Sequence, residues 1–266
     1  MLSSVNTINS SVFNYVWFPN ITSTNAQVDA TGKIYTFLQN GTITSSRPVT
    51  VNVLCVGGGG GGGNGSTGNA TGGGGGGGGY VENAYTFPAN TLITITIGNG
   101  GNQNQSGSNT TISGSGISII AYGGGKGSGS TAAATGGSGG GGGGAGFNSP
   151  ATGNTNDNNY ANSGSTGYNT PFFGAGGGGG AGGDAYNFNP YEPGVGGVGK
   201  TPSLNGLRTG IYYANGGNGG TESGVVSGIS GSANTGAGGG GGNGQYRNPK
   251  TGFPGGSGIV ILALQY

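Results

Sequence analysis

The sequence predicts an all-β protein, an antiparallel β-sandwich-like framework with a large inserted array of polyglycine II helices and essentially no α-helix. Three observations lead to this prediction. Glycine supplies 74 of the 266 residues, against an average share of about 7%. Several short apolar runs alternate as strands do, and no longer segment has the apolar period of a helix. Charged residues make up 5% of the chain, beside 13 Tyr and 9 Phe, whereas disordered segments are usually rich in charge and poor in aromatics.

The predicted strands are bounded by turn or glycine residues. The run 90–97 (NTLITITI) alternates most regularly, so that its isoleucines share one face. The run 258–266 (GIVILALQY) is apolar almost throughout, which is typical of a strand buried on both faces. We therefore expect it to lie centrally in one antiparallel framework. Asn40-Gly41 is a dipeptide that favours a turn. The six predicted strands are 33–38, Val49–Val56, Tyr80–Phe87, 90–97, 117–122 and 258–266.

The glycine-rich tracts require a physical reason, because each glycine costs about 0.5–1 kcal/mol more than alanine to order. In a polyglycine II helix, with 3 residues per turn, the backbone N–H and C=O groups point outward around the axis. Helices without side chains can then approach closely and hydrogen-bond to one another, which gives every buried backbone group a partner. We number the tracts 1 to 8 in chain order: 57–63, 72–79, 136–146, 174–183, 194–199, 216–220, 236–244 and 255–258.

Two regions are predicted along the chain. Residues 1–32 are polar with a few aromatic side chains and are interpreted as an N-terminal docking arm. Trp17 and Phe18 suit either docking or ordinary packing. Residues 33–266 form the glycine-rich domain, with a long insert at about 123–257 between the fifth and sixth predicted strands.

Composition argues against an enzyme. The chain has no His and one cysteine, Cys55, which we expect to be a small core residue. The segment 194–201 (GVGGVGKT) matches the phosphate-binding loop pattern formally, but no buried strand precedes it and no helix-forming sequence follows. The acidic residues are scattered, so we expect no catalytic residue, cofactor or metal. They are Asp29, Glu82, Asp157, Asp184, Glu192 and Glu222.

Charge and hydropathy also limit the partners. A net charge of +1 provides no field that would attract nucleic acid or an anionic membrane. We expect no membrane insertion, because no apolar run reaches the length of a span, and we expect no signal peptide. The sequence does not decide whether its N-x-S/T triplets are glycosylated.

Aromatic residues in the glycine-rich insert form the candidate recognition surface. Rigid aromatic side chains beside adaptable Asn and Ser suit contact with sugar or protein. The alternative, which we favour slightly, is that these side chains cap the ends of the glycine array. The candidates are Tyr160, Tyr168, Phe172, Phe173, Tyr186, Phe188, Tyr191, Tyr212 and Tyr213.

Four segments together resemble the glycine-rich domain of tail-fibre and large DNA-virus proteins, a β-sandwich with inserted polyglycine II helices. The segments are VNVLCVGGGGGGG, GGGGGGGGYVENAYTFPANTLITITIGNGG, GISIIAYGGGKG and GGSGIVILALQY. The resemblance covers roughly residues 33–266 and depends on the order of strands more than on glycine content. It implies recognition or virion surface structure, and it supplies no catalytic motif.

The expected function is therefore that of a non-enzymatic virion structural protein: a capsid-associated, fibre or surface-decoration component. The alternative is a host-receptor-binding adhesin at the tip of a viral or phage fibre. A secreted cellular ligand-binding domain is disfavoured, because we expect neither an intrachain disulfide nor a signal peptide. Expected partners are other virion proteins, through residues 1–32, and a host surface glycan or protein; a homo-oligomer is also compatible. The expected location is the particle surface, after assembly in the host cytoplasm.

Overall fold

The computed structural model describes residues 19–66, 70–144, 149–153, 160–169, 173–187, 189, 191–208, 210–222, 228–244 and 250–266. Within these ranges the chain forms eight β-strands and no helix, so none is present there that could cross a membrane. The predicted all-β class is confirmed. The strands are β1 (Ile21–Val28), β2 (Ile34–Ser45), β3 (Val49–Val56), β4 (Tyr80–Phe87), β5 (Ile93–Thr96), β6 (Thr110–Gly114), β7 (Ile117–Ala121) and β8 (Ile259–Gln265).

All eight strands belong to one antiparallel sheet. Seven follow the order β4-β3-β8-β2-β5-β6-β7, and β1 pairs with β2. The sheet curls until β3 lies over β6, where the Cys55 thiol is 3.7 Å from the carbonyl of Thr110. The framework is therefore nearly closed, like a barrel, around one apolar core.

Strand β8 is central and buried on both faces, as predicted. It hydrogen-bonds to β3 on one edge and β2 on the other. Val260 and Leu262 point into the core of the curled sheet, together with Cys55, the predicted core residue. Ile259 and Ile261 point to a second apolar cluster, which packs against the inserted region. Burial on two faces explains why this segment is apolar at consecutive positions.

Strands β1 and β6 were missed by the sequence analysis. In β6 only Ile112 among the central residues is apolar and fully buried, so the apolar signal of the strand is a single side chain. β1 (ITSTNAQV) lies within the predicted docking arm, and the sheet begins at Ile21 rather than near residue 33. Residues 1–18 lie outside the described residues, and the docking role stays a prediction.

The predicted turn at Asn40-Gly41 is wrong, because β2 continues through both residues. Here β2 passes from pairing with β8, up to Phe37, to pairing with β5, from Gly41 onward. Opposite this bend Asn25 has a positive φ of 58° and donates a side-chain hydrogen bond of 2.9 Å to the Asn40 carbonyl. The dipeptide therefore turns a corner of the sheet without reversing the chain.

The glycine tracts are buried and pack against one another. Every residue of tracts 1 and 2 is buried, so this part of the protein has a core of backbone. Among described tract glycines, only Gly236 has a positive φ. Segment 123–129 also joins this array, and tract 3 is described as far as residue 144.

Tract 1 is enclosed by six segments, and its bonding partners repeat every three residues. Its N–H groups donate to tract 2, to segment 105–108 and to segment 253–256. Its carbonyls accept from segment 101–104, from segment 124–127 and from tract 7. The three bonds to tract 2 are Gly57 N to Gly79 O at 3.0 Å, Gly60 N to Gly76 O at 2.8 Å and Gly63 N to Gly73 O at 2.9 Å.

Tract 2 is enclosed in the same way. It donates to tract 7, to segment 122–128 and to tract 4, and it accepts from tracts 1, 3 and 6. A partner that changes with a period of three is what a threefold extended helix produces. The two tracts thus stand side by side, each hydrogen-bonded to six chain segments.

Candidate recognition surface

An aromatic cluster forms where the inserted region meets the sheet. Tyr80 begins β4 and is fully buried. Its carbonyl accepts a hydrogen bond of 2.9 Å from the Tyr160 backbone, and the two rings meet edge to face with centroids 5.9 Å apart. The Lys200 ammonium lies 4.2 Å from the centroid of the Tyr160 ring. Backbone hydrogen bonds of 2.9 Å in both directions join Lys200 to Tyr213.

Glu82 of β4 fixes this cluster to the insert. Its Oε1 accepts hydrogen bonds of 2.6 Å from the backbone N–H groups of both Ser203 and Leu204. Its Oε2 accepts a bond of 2.9 Å from the Tyr80 hydroxyl. Burial raises the pKa of Tyr80, and the bond to Glu82 adds to the rise, so this hydroxyl stays a neutral donor.

The seven predicted aromatic residues that the structure describes do not form one surface. Tyr213 is 2% exposed and belongs to the second apolar cluster, whereas its neighbour Tyr212 is 58% exposed. Lys200 joins Tyr160 to Tyr213 and, within the described part of the chain, to no other of these residues. Tyr186, Tyr191 and Tyr160 are largely exposed, Tyr168 and Phe173 are half-buried, and Phe172 and Phe188 lie outside the described residues.

Segment 194–201 does not form a phosphate cradle, because six of its eight backbone N–H groups already have acceptors. Gly194 donates to tract 4, and Gly197 donates to Gly178. The N–H groups of Gly196 and Gly199 donate to asparagine side chains. A phosphate loop needs such groups to be free and convergent. Among the described residues, no group of three or more His, Cys, Asp or Glu is arranged to hold a metal ion.

Asparagine side chains complete the hydrogen bonding at the margin of the array, a role that the sequence analysis missed. The Oδ1 atoms of Asn215 and Asn218 accept hydrogen bonds of 2.8 Å and 2.9 Å from Gly199 and Gly196. An amide oxygen thereby replaces the carbonyl of an absent neighbour. The signal was present in the sequence as Asn-Gly-Gly-Asn-Gly-Gly, a repeat of three residues at 215–220.

A polar cleft of about 470 Å³ lies at the corner where β2 bends. Leu38 and Ile97 provide its apolar lining, and Gln39, Asn40 and Asn99 provide amide groups. The cleft contains no charged side chain. Amide groups beside apolar surface, without charge, suit a neutral polyhydroxylated ligand. The sequence does not predict this cleft, because Asn40-Gly41 favours a chain reversal rather than the bend that forms the cleft.

The fold and these sites define an all-β glycine-rich protein in which much of the core is backbone. The glycine-rich domain family matches residues 37–265, so the match spans the strands from within β2 to the end of β8. The chain therefore belongs to the glycine-rich domain family, as the resemblance in the sequence indicated at that level. No curated protein matches the chain.

Proposed function

We propose that this chain is a non-enzymatic structural protein of a virus particle, acting as a capsid-associated, fibre or surface-decoration component. The observation that carries the proposal is the enclosed glycine array, in which tracts 1 and 2 are each hydrogen-bonded to six neighbours. Proteases act on backbone that can leave the fold and become extended and accessible. A backbone that is buried and bonded on all sides suits a protein that must persist outside a cell.

Two further features favour a particle component. The chain carries 5% charged residues and a net charge of +1, so its function does not depend on a strong electrostatic field. The resemblance to glycine-rich domains of tail-fibre and large DNA-virus proteins adds the viral context, as an expectation. On this proposal the framework and array are rigid material, and residues 1–32 attach it to other virion proteins.

Localisation on particles tests this function. Antibodies against the folded chain should label particles purified from lysed host cells, and the chain should be recovered from those particles by mass spectrometry. Absence from purified particles, with the chain present in the soluble lysate, would exclude a virion role. Digestion with proteinase K separately tests the structural basis: the folded chain should outlast the same chain unfolded by heat.

A second candidate is a host-receptor-binding adhesin at a fibre tip. It is favoured by the exposed rings of Tyr160, Tyr186, Tyr191 and Tyr212 and by the uncharged cleft beside Gln39. Labelling confined to the distal end of a fibre, with binding of the purified chain to host-surface glycan, would favour the adhesin. Labelling distributed over the particle without such binding would favour the structural role.

A further inference from the structure

Among the described residues, tract 7 has five neighbours in the glycine array where tracts 1 and 2 have six. It donates to tract 1, to Asn218 within tract 6, to Asn215 just before tract 6, and to Ile229. It accepts from tract 2 and from segment 250–256. Tract 6 is bonded to tract 2, and Gly231 is bonded to segment 250–256. The five neighbours therefore follow one another around tract 7. The position between tract 6 and segment 229–232 holds none of the residues that the structure describes.

A groove of about 240 Å³ occupies this vacant position. Its walls are residues 215–218 on one side and segment 229–232 on the other, and residues 237–238 form its floor. Among the described residues, none accepts a hydrogen bond from the backbone N–H of Asn215 or Asn218, and none donates to the carbonyl of Gly238.

These groups, which have no partner among the described residues, specify the chemistry of an occupant. Asn215 and Asn218 are three residues apart, so a segment with three residues per turn would present a carbonyl to each N–H. Its own N–H groups would reach the Gly238 carbonyl. An α-helix, about 10–12 Å across, is too wide for a position that elsewhere in the array holds a bare glycine segment. The groove therefore fits an extended threefold segment with small side chains.

We propose that a second copy of this chain fills the groove, with segment 229–232 of each copy seated in the vacant position of the other. This segment reads Ile-Ser-Gly-Ser and lies at the margin of the array, beside the groove that it would fill in the partner. A twofold axis parallel to the tracts places segment 229–232 of each copy in the vacant position of the other copy. The resulting contact is closed and self-complementary.

Two observations favour this occupant. Ile229 is 77% exposed, the highest value among the large apolar side chains of the described residues, and the exchange would cover it. Copies of the chain do not repel one another strongly, because each has a net charge of +1. The proposal concerns assembly and does not depend on where the protein acts.

Sedimentation analysis of the purified chain tests the proposal through the variant Ile229→Asp. The parent should show concentration-dependent dimers. The variant should dissociate with a constant at least about tenfold higher, because the exchange would bury an unpaired carboxylate. Leu92→Asp is the matched control: Leu92 is also an exposed aliphatic residue, 60% exposed, and it lies just before β5. This control should dimerise as the parent does.

Two results would overturn the proposal. One is a parent that stays monomeric at all concentrations. Binding of an added glycine-rich peptide in the groove would not rescue the proposal in that case, because the occupant would not be a second copy of the chain. The other is a variant Ile229→Asp that dimerises as tightly as the parent. Because Ile229 is exposed in the single copy, the variant should keep the parent's circular dichroism spectrum and, at concentrations low enough for both proteins to be monomers, its unfolding midpoint. Loss of dimer together with an unchanged spectrum and midpoint supports the proposal.

Discussion

The Oε1 atom of Glu82 accepts a hydrogen bond of 2.6 Å from the backbone N–H of Leu204, a residue 122 positions further along the chain. This bond ties the long insert to β4, and the same oxygen also accepts from Ser203. Hydrogen bonds to a charged group contribute about 1.5–3 kcal/mol. The insert is thus held to the sheet by a few specific polar contacts as well as by the second apolar cluster.

Replacing this carboxylate should destabilise the protein. We expect Glu82→Ala to lower the free energy of unfolding by about 1–3 kcal/mol, because two backbone donors and the Tyr80 hydroxyl lose their acceptor. Glu192→Ala, at an exposed glutamate, should change it by less than about 0.5 kcal/mol. Denaturant unfolding of both variants measures the difference, and equal stability would show that the contact is not stabilising.

Buried glycines of the array should not tolerate alanine. A Cβ at Gly76 or Gly178 would lie less than 3.0 Å from a backbone oxygen, of Ser138 and Gly75 respectively. We expect each Gly→Ala variant to lose about 1–3 kcal/mol by overpacking, although alanine restricts the unfolded chain. At Gly183 an added Cβ meets only a Val198 methyl at 3.4 Å, so Gly183→Ala is the control.

Thermal or denaturant unfolding of these three variants separates the two interpretations of the tracts. If Gly76→Ala and Gly178→Ala are as stable as Gly183→Ala, the tracts are solvated linkers. A loss at one position alone would place that tract inside the array and the other at its edge.

The asparagines at the margin of the glycine array should tolerate replacement by aspartate, whereas replacement by alanine should destabilise the protein. Asn218→Ala removes the acceptor for the N–H of Gly196, and we expect a loss of about 0.5–1.5 kcal/mol. Asn218→Asp keeps an acceptor oxygen at the same place and should stay close to the parent. Hydrogen exchange at Gly196 measures the effect locally: protection should fall in the alanine variant and persist in the aspartate variant.

Alkaline pH should destabilise the fold through Cys55. Burial raises the pKa of its thiol to about 12, from an ordinary value of 9.0. Between these values the unfolded chain releases the proton and the folded chain keeps it. Stability is therefore complete below about pH 9 and falls by up to about 1.4 kcal/mol per pH unit above it. Buried tyrosines add to the fall at higher pH.

The contribution of the thiol is measured by plotting the free energy of unfolding against pH for the parent and for Cys55→Ala. The difference between the two slopes from pH 9 to 10 is the effect of the thiol. We expect the free energy of unfolding of the alanine variant to depend less on pH in this interval. Parallel curves would contradict a buried neutral thiol. In the folded parent, Cys55 should also resist thiol reagents until the protein unfolds.

The tracts should have the backbone geometry of polyglycine II, with φ near −75° and ψ near +145°. The reason for this prediction is that the hydrogen-bond partners along tracts 1 and 2 repeat every three residues. Backbone dihedrals from a high-resolution crystal structure, or carbonyl chemical shifts of labelled glycine, measure this directly. Tracts whose ψ values alternate or scatter would not be threefold helices, whatever their bonding.

The sequence by itself determined the fold class, the central position of β8 and the burial of Cys55, because each is recorded in local periodicity or composition. Consecutive apolar residues, as in Ile259-Val260-Ile261, can be satisfied only by a strand covered on both faces. The order of strands also sufficed to indicate the glycine-rich domain family.

Only the tertiary structure decided which backbone groups meet. β1 and β6 have weak apolar patterns and become strands because neighbouring strands offer them hydrogen bonds. Asn40-Gly41 bends β2 instead of reversing it because β5 continues the pairing beyond β8. A glycine tract has no side chains that could determine which segments it packs against. The six neighbours of tract 1 and the vacant position beside tract 7 therefore follow from how distant segments pack together.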